Sequence, residues 1–341
     1  MTEIGLSLGV SPREDVQRFV TLARHAERLG VGHLWVIDSQ MAMKDAYVAL
    51  AVGAWETERV RLGTGVTNLQ TRNVTVLANT FATLASMAPG RVLLGLGAGD
   101  SAVFPLGLRP SRIAELRTGI RQLRALLRGE ETTLPGGAAR MPFVPEQPPP
   151  IYLSASQPRM LQLAGAEADG VIVMGVADRD LIAAQIAHVA RGAEQAGRDP
   201  AEVAVDVWVT VSVGDDASSA VDDVRSWASA KARWMSTWAD LPPSLEAHRP
   251  EMEAAARAYD FGTHLSVRAD HAHAVGDELA TALAVAGDPV TCARRLADIA
   301  QLRPAQLTVA LLSGGREQRL ETLMAEIAPA IRAAAPDPVS P

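Results

Sequence analysis

The fold is decided by two nearly continuous apolar runs, Arg91-Val-Leu-Leu-Gly-Leu-Gly97 and Gly170-Val-Ile-Val-Met-Gly175. An antiparallel strand with one solvent-exposed face alternates apolar and polar residues, whereas these runs have almost no polar positions. They are typical of strands that are buried on both faces, as in a parallel sheet covered by helices. The runs therefore predict an α/β fold.

Working outward, we find eight such β-like segments, and helical patterns such as Ser11–Leu29 lie between them. Ser11, Pro12 and Glu14 predict the start of that helix, and Asp288-Pro289 predicts the start of a later one. The eight segments are Ile4–Val10, His33–Ser39, Val60–Asn68, Arg91–Gly99, Pro150–Ser156, Gly170–Ala177, Val203–Gly214 and Ala305–Leu312.

Eight β/α units favour a (β/α)8 TIM barrel over a doubly wound open sheet, which usually has fewer strands. The chain has 341 residues, whereas such a barrel needs about 250. The excess lies between strands seven and eight, so we predict a helical insertion over about 215–285. The whole of 1–332 is expected to be a single domain, followed by a flexible tail over 333–341.

Composition excludes several classes of protein. A hydrophobic content of 48% excludes a disordered chain, and a net charge of -7 argues against a broad surface for nucleic acid or for an anionic membrane. The single Cys292 excludes an intramolecular disulfide and favours a reducing compartment.

With no signal peptide or membrane span in the sequence, we expect a cytoplasmic protein. The cations are 30 arginines and two lysines, which suits coding bias or a local site for carboxylate or phosphate.

Barrel enzymes place their active sites at the carboxyl ends of the strands, so residues at those positions are the candidates for chemistry. Glycine and small polar residues predominate there. The candidates are Ser7, Asp38, Ser39, Gln40, Gly65, Val66, Thr67, Asn68, Gly97, Ala98, Gly99, Asp100, Ser101, Ser154, Ala155, Ser156, Gln157, Gly175, Val176 and Ala177.

Other chemistries are disfavoured. Gly95-Leu-Gly-Ala-Gly-Asp100 resembles a dinucleotide-binding turn, but Ala102–Pro110 contains two prolines where the phosphate-binding helix should begin. The two lysines lie off the strands, which argues against a Schiff base, and the histidines do not have the pattern of a metal site. We expect no bound metal.

Two loops that precede helices are candidates for binding phosphate, because free backbone N–H groups and the helix dipole favour an anion. They are Ser154–Arg159 and Gly175–Asp178, although turn formation alone also explains both. Within the insertion, Trp227, Trp234 and Trp238 recur at helical spacing, which is typical of a packed face; a substrate pocket or a dimer contact is the alternative.

The sequence resembles the bacterial-luciferase-like family, in particular the branch of deazaflavin-dependent methylenetetrahydromethanopterin reductases. The resemblance spans most of the chain outside the insertion. It is carried by Trp35-Val-Ile-Asp-Ser-Gln40, Val60-Arg-Leu-Gly-Thr-Gly-Val-Thr-Asn68, Thr71-Arg-Asn73 and Gly95-Leu-Gly-Ala-Gly-Asp100.

The resemblance implies an insertion-bearing barrel that binds coenzyme F-420 or FMN at its mouth, with a non-prolyl cis peptide bond at Gly65–Val66. It implies that Asp38, Thr67, Asn68 and Asp100 surround the ring or its ribityl chain, and that Ser156 and Gly175–Ala177 face the phosphate. Relatives often carry a carboxylate where Ser7 stands, a histidine where Ser39 stands and His-Pro where Asn73-Val74 stands, so the usual proton donor is missing.

The leading hypothesis is an F-420-dependent oxidoreductase that transfers hydride to or from a small organic substrate and forms a homodimer. Asp38, Asn68 and Asp100 are its candidate catalytic residues, with capping of strand ends as their alternative role. The predicted cofactor-binding residues are Ser7, Gly65, Val66, Thr67, Gly97, Gly99, Ser154, Ala155, Ser156, Gly175, Val176 and Ala177. Trp35, Gln40 and Trp234 are predicted to contact the substrate.

Two alternatives stay open. The first is a monooxygenase that uses reduced FMN from a separate flavin reductase; an F-420 reductase is the corresponding partner of the leading hypothesis. The second is a barrel that binds the cofactor without turnover.

Overall fold

The computed structural model describes residues 2–260, 270–311 and 315–334. Its strands are β1 (Glu3–Leu8), β2 (His33–Val36), β3 (Arg61–Thr64), β4 (Thr67–Asn68), β5 (Val92–Gly97), β6 (Thr132–Leu134), β7 (Gly137–Ala139), β8 (Ile151–Ala155), β9 (Gly170–Met174), β10 (Ala204–Val213), β11 (Val285–Gly287) and β12 (Gln306–Leu311).

The helices alternate with these strands along most of the described chain. They are α1 (Val16–Arg28), α2 (Ala46–Glu56), α3 (Val74–Met87), α4 (Ile113–Leu127), α5 (Pro158–Glu167), α6 (Arg179–Gln195), α7 (Ala217–Met235), α8 (Pro243–Glu246), α9 (Arg249–Ala258), α10 (Asp277–Leu283), α11 (Pro289–Ala300), α12 (Arg316–Thr322) and α13 (Ala328–Ala334).

The strands form the predicted (β/α)8 barrel. Their order is β10-β12-β1-β2-β3-β5-β8-β9, and the pairing of β9 with β10 closes the ring of eight. The pairs β1–β2, β2–β3, β5–β8 and β8–β9 are parallel, with registers such as Leu8 opposite Val36 and Val36 opposite Thr64. Parallel strands in register bring their carboxyl ends to one edge, which is where the predicted polar and glycine residues lie.

Each of the eight predicted segments contains a strand of the barrel, although most strands end a few residues earlier than predicted. The third segment, Val60–Asn68, is divided into β3 and β4, and Leu312 lies outside the described residues. The helical insertion is also confirmed, since α7–α10 fall between β10 and the last barrel strand. The short hairpin β6–β7 and the extra strand β11, which pairs with β10, are additions that the sequence patterns do not predict. Residues 335–341 of the predicted tail lie outside the described residues.

Two helix starts test the capping predictions. The first helix begins at Val16, because Asp15 is its N-cap and accepts a hydrogen bond from the Gln17 N–H; the predicted start at Ser11 is five residues too early. The start of α11 is as predicted, with Pro289 in its first turn and Asp288 accepting from the Thr291 N–H at 2.7 Å.

Aromatic rings from β2 and β8 fill the interior of the barrel because glycines on neighbouring strands make room for them. A Cβ on Gly63 would lie 2.5 Å from the Trp35 ring, and one on Gly5 or Gly170 would overlap the ring of His33 or Tyr152. The Trp35 Nε1–H donates to Asp206 Oδ2 at 2.8 Å, and His33 Nε2 lies 3.5 Å from the same oxygen. Because β2 and β10 are not neighbours in the strand order, this hydrogen bond crosses the interior.

Contacts divide the chain into two units, 5–173 with 185–206 and 1–4 with 174–184 and 207–341. The second unit contains the insertion, whose helices bury a cluster that includes Val224, Met235, Trp238 and Leu279. Trp227 and Trp234 pack against this cluster, as predicted for the helical face. In the part of the chain that the structure describes, no helix is both long enough and apolar enough to cross a bilayer.

Candidate active site

The first unit brings most of the predicted site residues to the carboxyl edge of β1, β2, β4, β5 and β8. Ser7 is paired with Trp35 near the ends of β1 and β2, and Asn68 is paired with Gly97 at the ends of β4 and β5. Ser154 and Ala155 end β8. The positional prediction therefore selects residues that lie on one edge of the sheet.

Asp38 has the most unusual environment among the three candidate catalytic residues. It is 8% exposed, and its Oδ2 atom has no hydrogen-bond partner among the described residues. Burial raises the pKa of this carboxyl above the usual range, although the nearby hydroxyl groups of Thr67 and Tyr47 and the charge of Arg72 act in the opposite direction. A carboxyl in this state is suited to hold a proton and release it to a reacting group.

Tyr47 and Thr67 form a buried hydroxyl pair beside Asp38. The Tyr47 hydroxyl donates to Thr67 Oγ1 at 2.5 Å, and neither side chain has appreciable exposure. Burial, and then the negative charge of Asp38, raises the pKa of Tyr47, so this phenol stays protonated. The pair therefore supplies neutral O–H groups next to the carboxyl.

An ion pair covers Tyr47 from the outside. The Arg72 guanidinium lies 3.9 Å from the centre of the Tyr47 ring, and its Nη2 donates to Asp45 Oδ2 at 2.9 Å. Asp45 also caps α2 by accepting from the N–H groups of Tyr47 and Val48 at 2.9 and 3.0 Å. The same carboxylate thus fixes both the helix turn that carries Tyr47 and the arginine that packs on its ring.

Asn68 uses its side-chain oxygen to build a turn. Its Oδ1 accepts from the N–H groups of Gln70 and Thr71 at 3.0 and 2.9 Å and from the Thr71 hydroxyl at 3.1 Å. These contacts match the capping role that the sequence left open for Asn68. Any catalytic contact of this residue would have to come from its amide nitrogen.

Asp100 is exposed at the end of the loop after β5. Its main-chain carbonyl accepts from the N–H groups of Val103 and Phe104 at 2.9 and 3.0 Å, whereas its carboxylate makes no hydrogen bond among the described residues. Capping by the side chain therefore does not explain Asp100, and the carboxylate is available at the rim.

The loops after β2 and β5 are joined by hydrogen bonds. Ser39 and Ser101 share one between their hydroxyl groups, and Gln40 Nε2 donates to the Ala102 carbonyl at 3.3 Å. Gln40 lies in the same loop as Asp38, just after β2. This position is compatible with the predicted substrate contact. The chain continues through a 3-10 helix at Phe104–Leu106 and reaches α4 only at Ile113, which agrees with the argument against a dinucleotide site.

Glycines shape the rim around the third and fifth strands. The Gly65–Val66 peptide bond is cis, as the family resemblance implies. The Val66 side chain packs on Gly97, where a Cβ would lie 2.7 Å from Val66 Cγ2, and Gly99 has a φ of 98°, which favours glycine. Glycine at these two positions therefore lets neighbouring side chains pack against the backbone of the rim.

The two predicted phosphate loops differ in how their helices begin. Helix α5 has Pro158 in its first turn, and its N-cap residue, Gln157, makes no side-chain cap. At the start of α6, Asp178 Oδ1 accepts from the Leu181 N–H at 2.8 Å, and Asp178 Oδ2 accepts from the Ser244 hydroxyl at 2.6 Å. A carboxylate already occupies the second helix end, so the loop after β8 is the better anion site.

Two predicted substrate residues lie elsewhere. Trp35 is fully buried in the barrel interior, where it donates to Asp206 and contacts the Tyr152 ring at a centroid distance of 5.4 Å. Trp234 packs edge-on against Trp238 at 5.0 Å in the insertion cluster. Trp35 therefore cannot form a pocket wall without leaving the core, and the packed-face interpretation describes Trp234.

The sequence reasoning missed Tyr47 and Asp45. Both lie on or before α2, outside the strand ends that the positional filter selects, and only their contacts with Thr67 and Arg72 reveal them. The one available signal was Asp45 two residues before Tyr47 at the start of an apolar helix, which is an N-cap pattern and says nothing about Asp38.

Comparisons with known proteins identify the family of this chain. The model of the luciferase-like monooxygenase family matches residues 1–306. The chain is 30% identical, over 90% of its length and 94% of the relative's, to the 5,10-methylenetetrahydromethanopterin reductase of Methanolobus tindarius. It is 31% identical, over 62% and 68% of the two chains, to the F420-dependent glucose-6-phosphate dehydrogenase of Kineococcus radiotolerans.

Among solved structures, an F420-dependent secondary alcohol dehydrogenase in complex with an F420-acetone adduct has a TM-score of 0.79. The alignment covers 97% of this chain and 99% of that one at 22% identity, so this likeness supports the fold. The family model and the reductase both span nine-tenths of the chain or close to it. The chain therefore belongs to the luciferase-like monooxygenase family of barrel oxidoreductases.

Proposed function

We propose that this protein is a deazaflavin-dependent oxidoreductase, which transfers hydride between coenzyme F-420 and a small organic substrate. The observation that carries the proposal is the 30% identity, over nine-tenths of the chain, to a methylenetetrahydromethanopterin reductase, together with the match to an F420-dependent dehydrogenase. The substrate itself is left open, because the two relatives act on unrelated molecules.

The residues at the strand ends fit such a cofactor. A flavin-like ring carries N–H and carbonyl groups at its edge, and the unpaired Asp38 Oδ2 is a buried acceptor that needs a partner of this kind. Because Gly97 and Gly99 have no side chains, Val66 and Val103 pack directly against the rim, and the proposal places the ring against this packed surface. The uncapped start of α5 suits a phosphate group.

When bound, coenzyme F-420 supplies the hydride chemistry, and the protein supplies orientation and proton transfer. In this proposal Asp38 holds the proton that the substrate gains or loses. Thr67, Asn68 and Asp100 surround the ring or its ribityl chain, and Gln40 faces the substrate. Binding of the ring and phosphate is assigned to Ser7, Gly65, Val66, Gly97, Gly99, Ser154, Ala155, Ser156, Gly175, Val176 and Ala177.

A ligand titration tests this function. Purified protein is titrated with coenzyme F-420 and with FMN, each oxidised and reduced, and the ligand fluorescence is followed. Tight binding of the deazaflavin with negligible binding of FMN is expected. Binding to neither would refute both the leading proposal and the FMN alternative.

The family model itself describes luciferase-like monooxygenases, so a monooxygenase that uses reduced FMN is the second candidate. It predicts the opposite preference in the same titration, and it needs a separate flavin reductase. Consumption of oxygen by the protein loaded with reduced FMN, in the presence of substrate candidates, would separate it from hydride transfer. Cofactor binding without turnover on any candidate would favour a barrel that only binds the cofactor.

A homodimer through α2 and α3 is part of the proposal. In α3 there is no charged residue, and in α2 the only one is the last residue, Glu56. Large apolar side chains project from these helices, with Trp55 78% exposed, Val48 56% and Val76 48%. Exposed apolar surface of this kind marks protein–protein contacts.

A further inference from the structure

A side chain of α6 holds the loop that follows β8. Gln185 lies in the second turn of α6 and is only 2% exposed. Its Nε2 donates to the main-chain carbonyl of Ser156 at 3.1 Å, and both residues belong to the first of the two units of the chain. The Gln185 amide therefore fixes the peptide unit that joins Ser156 to Gln157, directly before α5.

The direction of this carbonyl also sets the direction of an N–H group. A trans peptide unit is planar, so its C=O and its N–H point in opposite directions. The Ser156–Gln157 peptide bond is trans, and its carbonyl points to the buried Gln185 amide. The N–H of Gln157, which is the exposed N-cap residue of α5, is therefore directed away from α6.

Several N–H groups of this loop are unused. Within the described part of the chain, those of Ser156, Gln157 and Arg159 donate to no other group. Pro158 has no N–H, and no side chain caps α5. Because α5 has ten residues, its dipole adds to the partial positive charge of these groups. The loop thus offers a set of donors to one anion.

Gln185 carries a second, independent sign that a ligand completes this loop. Its Oε1 has no hydrogen-bond partner among the described residues, although the side chain is buried. An unpaired buried acceptor lowers stability, and such groups persist where a ligand or its bound water completes them. Oε1 can only accept, so its partner is a hydroxyl group; the ribityl chain that precedes the phosphate in coenzyme F-420 and in FMN carries several.

We propose that Gln185 is a positioning residue for the cofactor phosphate. It acts through the peptide unit between Ser156 and Gln157, whose N–H it directs to the phosphate that follows the ribityl chain. This inference rests on the proposed function, because that function supplies the ligand. Both coenzyme F-420 and FMN carry a phosphate at this place, so the role of Gln185 is the same for either cofactor.

Ligands with and without the phosphate test this role. Coenzyme F-420 is compared with the deazaflavin that ends at the ribityl chain, and FMN is compared with riboflavin; ligand fluorescence gives a Kd for each. Gln185→Met keeps a long unbranched side chain but removes the donor. The Kd of the phosphate-bearing ligand should rise about tenfold, as expected for one hydrogen bond to a charged group, and that of its phosphate-free counterpart should stay unchanged.

The matched control is Gln306→Met. Gln306 is 3% exposed and its Oε1 is also unpaired among the described residues, but it is the first residue of β12, at the amino end of that strand. Because the loops that bind ligands follow the carboxyl ends, the ratio of the two Kd values should not change in this variant. An unchanged ratio in Gln185→Met, or an equal change in Gln306→Met, would overturn the proposal.

Nuclear magnetic resonance of the wild-type protein gives a measurement that does not depend on how Gln185→Met folds. In protein labelled with 15N-glutamine, the Gln157 N–H is assigned by its absence in Gln157→Ala. Its proton resonance should move downfield when coenzyme F-420 binds and should not move when the phosphate-free deazaflavin binds. A resonance that stays in place while coenzyme F-420 binds would overturn the proposal.

Failure of the proposed function has a different result. If the wild-type protein binds FMN and not coenzyme F-420, the deazaflavin proposal is wrong, and the comparison of FMN with riboflavin still tests Gln185. Binding of neither cofactor would refute the proposed function and the role of Gln185 together.

Discussion

Substitution of Gly97 by alanine tests whether the rim of the barrel is as tightly packed as its glycines indicate. A Cβ at this position would lie 2.7 Å from Val66 Cγ2, whereas carbon atoms in good contact are about 3.5–4.0 Å apart. The next atoms, Val66 Cβ at 3.8 Å and Ser154 Cβ at 3.9 Å, are at ordinary distances. The clash thus involves one methyl group, which must move by roughly 1 Å.

Overpacking of this size typically costs about 1–3 kcal/mol. We therefore expect Gly97→Ala to lower the free energy of unfolding by about that amount. Val66→Ala removes the clashing methyl group. On its own, this substitution should lower the free energy of unfolding by about 1 kcal/mol, since Val66 is half-buried. Combined with Gly97→Ala, its effect should not be additive. The double variant should then be no less stable than Val66→Ala alone.

Urea unfolding gives these values from the shift of the midpoint at constant slope, and the four proteins form a double-mutant cycle. Gly136→Ala is the control, since a Cβ there has no neighbour within 4 Å and it should leave stability within about 0.5 kcal/mol. Additive effects of the two substitutions, or a harmless Gly97→Ala, would refute the packing argument. If the rim also binds the cofactor ring, Gly97→Ala should weaken deazaflavin binding in the same titration.

Three further outcomes are expected. Because burial raises the pKa of Asp38, the folded state loses stability as the pH rises above the ordinary carboxyl pKa of about 4 and through the raised one. Asp38→Asn removes this loss, so urea unfolding should find the variant gaining on wild type as the pH rises, while turnover falls. A constant difference would contradict the raised pKa. Trp55→Arg should convert the proposed dimer to a monomer in light scattering, whereas Phe143→Arg, which changes another exposed apolar residue, should not. A dimer that survives Trp55→Arg would exclude this face, and a monomeric wild-type protein would refute the proposed dimer. Asp206→Ala should lower the free energy of unfolding by about 1–3 kcal/mol, because it leaves the Trp35 N–H without its buried acceptor. Asp206→Asn should cost less, since its amide oxygen still accepts, and equal costs would argue against the hydrogen bond.

The eight strands were predictable because each contains a short apolar run with few polar interruptions, and the run stays visible wherever both faces of the strand are buried. The start of α1 was not predicted correctly, because Ser11 and Asp15 are both good N-caps and the sequence does not say which one accepts the first N–H. In the structure Ser11 Oγ accepts from the Arg13 N–H in a preceding turn. The capping preferences of the amino acids therefore identified two residues that can cap a helix, but they selected the wrong one of the two for α1.

Trp35 shows what a positional rule omits. Its place near the end of β2 suggested a pocket wall, yet the direction of the side chain depends on the alternation within the strand and on space provided by other strands. Gly63 and Gly95 on β3 and β5 open that space, and Asp206 on β10 supplies the acceptor. These residues are far from Trp35 in sequence, so only the assembled barrel identifies Trp35 as part of the core.

The positional rule treats Asp38, Asn68 and Asp100 as equivalent, but their surroundings separate them. The oxygen of Asn68 is committed to a turn, and Asp100 is an exposed carboxylate, suited to hydrogen bonding with a ligand at the rim. Only Asp38 combines burial, a raised pKa and an unpaired oxygen. Proton transfer near neutral pH requires a carboxyl that gives up its proton less readily than an exposed one, and burial is the means by which a barrel provides it. Among the three residues, Asp38 is therefore the one to which we assign the transferred proton in the proposed reaction.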